Sequence, residues 1–447
     1  MPDHQNASET LARFAAETPA GRIPDKVRHE AKRALLNILA TGIRGGIDPT
    51  YEMLLRSLPT GGQGTATIVG RPERADALTA AFLNAAGANI DDFCDTHLPT
   101  VIHPTALVMP PLYALSELQR VRGADLLDAF AIGVEVACRI GNSISPSHYR
   151  TRGWHITASC GVFGAAAAAG RLLGLDTKQM VWALGSAAAQ SSGLVEMLGQ
   201  PTKSIGVGNA ARNGLWSAQL AQRGFAGPPR PLEGRFGFFN AMSETPNGSA
   251  LLDGLGETWE LSINAYKPYP GGVVNHPVID AVLELRAMGA FRTGDIARIV
   301  VHGHPLLSER ADRPNVSTGR EAQVSVQHSV AAAQIYGDAG LDQYTDECVN
   351  DPAVLALRGK VEVTQDSGIA VEAAVVELWT HNGTHHRASV AAARGSAGRP
   401  LTDRELEQKF ERLAGPRVKD GRKLIDAVWS LDKAEDASKI LAMTVPA

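Results

Sequence analysis

The densest polar stretch of the 447-residue chain is Asp91-Asp92-Phe93-Cys94-Asp95-Thr96-His97, followed by His103-Pro104-Thr105. Carboxylates, hydroxyls and two imidazoles fall there in a short irregular segment between apolar runs. Asp and Thr can be read as helix caps, but no cap needs a histidine, so His97 and His103 are candidates for acid–base work. A second group, Arg152-Gly153-Trp154-His155, opens a small-residue helix. A histidine at that place lies near the positive end of the helix, which favours the neutral imidazole and hence a base; it also fits a helix-entry residue bonded to a carbonyl. The third group, Pro201-Thr202-Lys203-Ser204-Ile205-Gly206-Val207-Gly208, reads as a glycine-containing loop ahead of a helix. There Lys203 and free backbone N–H groups could clamp an anion. Its Gly-x-Gly is not a dinucleotide fingerprint, because no strand precedes it and no third glycine has the right spacing. The fourth, Ala265-Tyr266-Lys267-Pro268-Tyr269-Pro270-Gly271-Gly272 with Asn275-His276-Pro277, reads on its own as a hinge. Two further histidine groups, His302 with His304 and His381 with His385 and His386, lack a carboxylate or cysteine that completes a recognisable ligand set. No metal is expected.

The elements that must position these groups are mostly helices. Pro24-Asp25 is a start signal, and Val27, Ala31, Ala34, Leu35 and Ile38 continue an apolar stripe at helical spacing. Further helices are expected over 73–88, 105–118, 124–140, 158–173, 177–198 and 208–223. Several are apolar nearly all round, Ala165 to Ala169 most of all, and a helix without a polar face is buried on every side. Beyond Trp259 the pattern changes. Short strands are expected over 297–302, 360–363, 369–379 and 386–390, with an Asn382-Gly383 pair suited to a type I′ turn. Helices are expected over 277–288 and 326–336. From Thr402 the chain is helical again, with Thr402 and Glu405 matching a capping box, and this tail should pack back on the first domain. The expected fold is mostly α. A large all-helical domain, 1–260 plus 396–447, carries an inserted smaller α+β domain over 261–395.

Composition excludes several function classes. Apolar residues make up 44% and aromatics 5%, a mix that favours closely packed helices over a β-sandwich. Forty-three Lys and Arg against 47 Asp and Glu leave a net charge of −4, with no positive excess for nucleic acid. The N-terminal stretch lacks the basic and apolar regions of a signal peptide, and no apolar run is long enough to span a membrane. The four cysteines are widely spaced, with no Cys-x-x-Cys. A cytoplasmic protein with reduced thiols is expected.

Together, DDFCDTH…HPTALVMP, GWHITASCGVFGAAAAAGRLLGLD, KSIGVGNAARNGLWSAQLAQRGF…PLEG and YKPYPGG…HPVIDA resemble the MmgE/PrpD family. That family includes 2-methylcitrate dehydratase, cis-aconitate decarboxylase and iminodisuccinate epimerase. The similarity spans about Asp25 to Leu413. It implies a helical plus α+β fold, a homodimer, and an active site in the crevice between the domains that needs no cofactor. The family's site corresponds here to Asp92, Thr96, His103, His155, Lys203 and Lys267. Gly271-Gly272 stands where the decarboxylase branch has Cys and His-type residues, and His328 stands where it has tyrosine. Tyr149 resembles a tyrosine that the epimerase branch places near substrate, with spacing to the Gly-Trp-His triplet one residue different. The implied function is a dehydratase-like lyase that removes a proton α to a carboxylate of a small di- or tricarboxylate. His103, His155, Lys203 and Tyr149 would be its catalytic groups, and Asp92, Thr96, Lys267 and His328 would hold the substrate. The alternatives are an epimerase or isomerase of an amino- or imino-dicarboxylate, and a non-catalytic carboxylate-binding protein.

Overall fold

The structure, a computed structural model, describes residues 6–58 and 64–446. The first five residues of the N-terminal stretch read for a signal lie outside them. The described chain divides into two compact units. The first comprises the residues up to Ile90, Cys94–Asn264 and those from Thr402 onward; the second comprises Asp91–Phe93 and Ala265–Leu401. The fold is mostly α, with a small sheet in the second unit.

At the centre of the first unit lies the helix Ile156–Leu172, whose residues from Ile156 to Gly170 are all buried. It packs on Gly123–Ile144, Pro104–Leu118 and Thr202–Gln222. Small residues set these crossings. A Cβ on Gly164 would come within 2.4 Å of the Gly133 carbonyl oxygen, and one on Gly214 within 2.3 Å of the Ala165 methyl. The all-apolar helices of the sequence are thus buried because their axes approach more closely than a side chain allows. The tail helix Asp403–Leu413 starts with the expected capping box from Thr402 and Glu405. It docks on Asp25–Gly45, where buried Lys409 donates to Asn37 Oδ1 at 2.7 Å.

Several expected boundaries shift. The helix expected over 208–223 begins a turn and a half earlier, at Thr202. Gly206 and Gly208, read as loop markers, lie within that helix, and Gly208 is a packing glycine: a Cβ on it would meet the Phe82 ring at 2.7 Å. Lys203 therefore sits on a helix rather than in a loop. The helix expected over 177–198 ends at Ala188, because Gly193 turns left-handed (φ 109°) and Leu194 bridges to Trp154. The start expected at 73 moves to Ala77: Arg74–Ala75 pairs with Ala66–Thr67, and Asp76 caps the helix Ala77–Asn89. That two-residue ladder makes the first unit slightly less than all-helical.

The second unit is a four-stranded sheet in the order Val361–Gln365, Ile296–Gly303, Ala374–Thr380, His385–Val390. The first pair is parallel and the other two are antiparallel. Val376, Leu378, Ala388 and Val390 point into a core completed by Val278, Ile279, Val282 and Leu285 of the helix His276–Ala287 and by Val330 of Val326–Tyr336. The strand expected from 369 starts only at Ala374. The turn at Asn382-Gly383 is not type I′, since only Gly383 has positive φ (85°). Asn382 instead accepts from the Thr384 N–H and from the hydroxyls of Thr380 and Thr384.

Candidate active site

In the first unit three of the candidate residues stand at helix starts. His103 is the N-cap of Pro104–Leu118, His155 the N-cap of Ile156–Leu172, and Lys203 lies in the first turn of Thr202–Gln222. All three are buried. The starts of these elements adjoin. The Thr157 hydroxyl reaches the Val101 carbonyl at 3.5 Å, and a Cβ on Gly206 would touch the Ala158 methyl at 3.4 Å. Neither the His155 helix nor the Lys203 helix has an acidic residue in its first turn. No carboxylate of their own first turns offsets their partial positive ends, and Lys203 adds a full charge to one of them.

His103 Nδ1 lies 2.7 Å from the Asp95 carbonyl oxygen and 3.2 Å from Thr96 Oγ1. A carbonyl only accepts, so Nδ1 carries a proton, and a neutral ring so fixed has its lone pair at Nε2, the arrangement of a base. Asp95 is fully buried. Its Oδ2 accepts from the Thr105 hydroxyl at 2.5 Å and from Asn264 at 2.7 Å, while burial pushes its carboxyl above the ordinary value despite those bonds. Asp95 thus holds the loop to the helix start.

His155 enters its helix with its N–H on the Gly193 carbonyl at 3.0 Å. Behind it lies a residue with no signal in the sequence. His148 is wholly buried, with Nδ1 donating to the Met242 carbonyl at 2.9 Å and Nε2 accepting from the Ser159 hydroxyl at 2.7 Å. Burial lowers the pKa of its imidazole to about 4, so it is neutral. Tyr149, beside it in the short helix Ser147–Arg150, is half-buried. His97 turns away from acid–base work, its Nε2 lying 2.7 Å from Glu260 Oε2.

In the second unit Lys267 is 2% exposed and donates to Asp92 Oδ1 at 2.9 Å, to the Asp92 carbonyl at 3.1 Å and to the Gly271 carbonyl at 2.8 Å. Asp92 has a left-handed backbone (φ 48°), rare for a non-glycine residue and held here by three neighbours. Besides Lys267 these are the Gly271 N–H, on the Asp92 carbonyl at 2.9 Å, and Gln323, which donates to the Asp91 carbonyl at 3.2 Å. Gln323 had no motif to mark it. Gly271 itself needs φ 94°, and a Cβ there would lie 2.1 Å from the Gln323 carbonyl oxygen. His328 is also wholly buried, its Nε2 donating to the Gln343 carbonyl at 2.7 Å. Burial lowers its pKa to about 4, and Nδ1 has no hydrogen-bond partner among the described residues.

Four of the five histidines weighed as metal ligands have other contacts. His302 and His385 both bond the Glu377 carboxylate, at 2.9 and 3.3 Å, and His304 caps the helix Pro305–Ala311. His386 packs on Phe291. Among the described residues no group of three or more His, Cys, Asp or Glu is disposed to hold a metal ion. No described helix is long and apolar enough to cross a membrane.

Comparison with known proteins agrees with this architecture. Residues 9–249 match the MmgE/PrpD N-terminal domain and residues 269–433 the MmgE/PrpD C-terminal domain. The chain is 27% identical to the cis-aconitate decarboxylase-like protein oryM of Aspergillus oryzae over 98% of this chain and 97% of that one. It is 27% identical to the cis-aconitate decarboxylase of Mus musculus, over 97% and 92% of the two chains. Against the Homo sapiens cis-aconitate decarboxylase it is 26% identical, over 98% and 94%. With both domains matched in order across most of its length, the chain belongs to the MmgE/PrpD family.

Proposed function

We propose that this protein is a cofactor-independent lyase that eliminates water from a small hydroxylated di- or tricarboxylate. The observation that carries the reading is the pair of adjoining helix starts bearing His155 and Lys203, neither with a carboxylate in its first turn. An anionic substrate is favoured there by charge and by N–H donors. A proton α to a carboxylate is weakly acidic, so its removal needs such donors already aimed at the charge that develops. Of His103 and His155, one takes that proton and the other protonates the departing hydroxyl, while Lys203 steadies the enediolate-like charge. The C–H and C–O bonds break, a carbon–carbon double bond forms and water leaves. Thr96 orients a carboxylate of the substrate, and Tyr149 completes the set in this unit.

A second reading, decarboxylation, is favoured by the names of the relatives. It would break a C–C bond, release carbon dioxide and return a proton to carbon. Against it stand Gly271-Gly272 and His328, where that branch carries other side chains. Proton NMR in D₂O with malate-like and citrate-like hydroxyacids, cis-aconitate and iminodisuccinate separates the possibilities. Loss or addition of water is the expected result. Carbon dioxide release from cis-aconitate would establish the second reading, and exchange with stereochemical scrambling would establish an epimerase. Binding without any turnover would leave a carboxylate-binding protein.

A further inference from the structure

His97 is wholly buried in the first unit and both of its ring nitrogens are engaged. Nε2 lies 2.7 Å from Glu260 Oε2 and Nδ1 lies 2.8 Å from the Thr100 hydroxyl. The carboxylate accepts, so Nε2 carries the proton. The backbone of His97 closes a turn as well. Its N–H donates to the Ile102 carbonyl at 2.8 Å, and its carbonyl accepts from the N–H groups of Val101 at 2.8 Å and Thr100 at 3.2 Å. Within that turn Val101 has φ 57°. A β-branched residue held there costs about 1–3 kcal/mol and persists only where its surroundings over-determine it. The two residues flanking the turn are Thr96 and His103, so its shape sets where their hydroxyl and imidazole stand.

Glu260 is itself anchored. Its N–H donates to Glu135 Oε2 at 2.7 Å, and its Oε1 accepts from Asn142 at 3.1 Å. Glu135 Oε1 accepts from Arg139 Nε at 2.5 Å. The rest of that guanidinium donates to the carbonyls of Leu251, Asp253, Gly254 and Thr258, which fixes the segment leading into Glu260. Burial acts to raise the Glu260 carboxyl, but the bond and charge of His97, with Arg139 and Asn142, outweigh it and hold the group below the ordinary carboxylate range.

We propose that Glu260 is a positioning residue: by holding His97 it keeps the turn between Thr96 and His103 in one shape, so that both groups meet the substrate at fixed spacing. This rests on the reading of Thr96 and His103 as substrate-facing groups. The test compares Glu260→Ala and Glu260→Gln in the full-length protein, the glutamine keeping an acceptor for His97. Amide exchange over residues 95–103 should rise about tenfold in the alanine variant, with exchange in the Ile156–Leu172 helix unchanged. Its kcat should fall about 100-fold with KM within about threefold, since a misplaced group costs turnover more than binding. Glu260→Gln should recover most of both. Wild-type kcat in a folded Glu260→Ala protein, or unchanged exchange over 95–103, would overturn the proposal. If Glu260→Ala does not fold, Glu260→Gln and Glu260→Gln with Asn142→Ala take its place; kcat should fall in that order, and equal kcat would overturn it. Exchange needs no substrate. Wild-type silence on every polycarboxylate would therefore remove the reaction reading, while exchange still decides whether Glu260 holds the turn.

Discussion

His103 and His155 hold the same station, the residue before a buried helix, but are fixed differently. His103 is fixed through its ring, by the Asp95 carbonyl, whereas His155 is fixed through its backbone, by Gly193. Replacing His155 by alanine should lower kcat about 100-fold or more with the fold retained. Circular dichroism and steady-state kinetics on the same preparation check this, and near-wild-type turnover would remove His155 as acid or base. Lys203 stands where a helix ordinarily prefers a carboxylate. Its charge is better used on an anion than on its own helix, so Lys203→Ala should weaken dicarboxylate binding about 10- to 100-fold, the worth of one charged hydrogen bond. Titration calorimetry would show it; unchanged affinity would mean that this residue is not at the site.

At the scale of elements, adjacent glycines do different work. Gly271 combines φ 94° with a backbone oxygen where its Cβ would be, whereas Gly272 has ordinary dihedrals and nothing nearer than Val274 Cγ2 at 3.8 Å. Gly271→Ala should cost about 1–3 kcal/mol and loosen the Asp91–Phe93 segment. Gly272→Ala should change stability by less than about 0.5 kcal/mol. Equal melting curves for the two variants would contradict this account of the loop. The helix crossings follow the same logic. Gly164→Ala would drive a methyl into the Gly133 carbonyl, an overpacking cost of about 1–3 kcal/mol read in the unfolding of the first unit.

Across the whole molecule, the two units share one acid sensitivity. His148 in the first and His328 in the second are each buried with a pKa of about 4, against 6.5 for a free imidazole. The unfolded chain takes up a proton at each near pH 6.5 that the folded chain refuses until about pH 4. Stability therefore falls as pH falls through that window, by about 2 kcal/mol for each histidine between pH 7 and 5. Urea unfolding at the two pH values, compared with His328→Gln, measures the share of the second unit. A variant with the full wild-type acid loss would assign that loss to other groups.

The sequence by itself determined the fold class, because burial on all faces of a helix and alternation along a strand are local properties of residue type. It also singled out the motifs bearing Thr96, His103, His155, Lys203 and Lys267, since each is a compact run of unusual composition. Three things were decided only by the tertiary structure. Gly208 reads as the end of a loop until the Phe82 ring, on another helix, shows why it is small. His97 reads as a catalytic candidate until Glu260, 163 residues away, claims it. His148 and Gln323 carry no signal at all, because their roles lie in the carbonyls they meet. Periodicity reports which way a side chain faces; what it meets there depends on the path of the whole chain, and no local pattern encodes that.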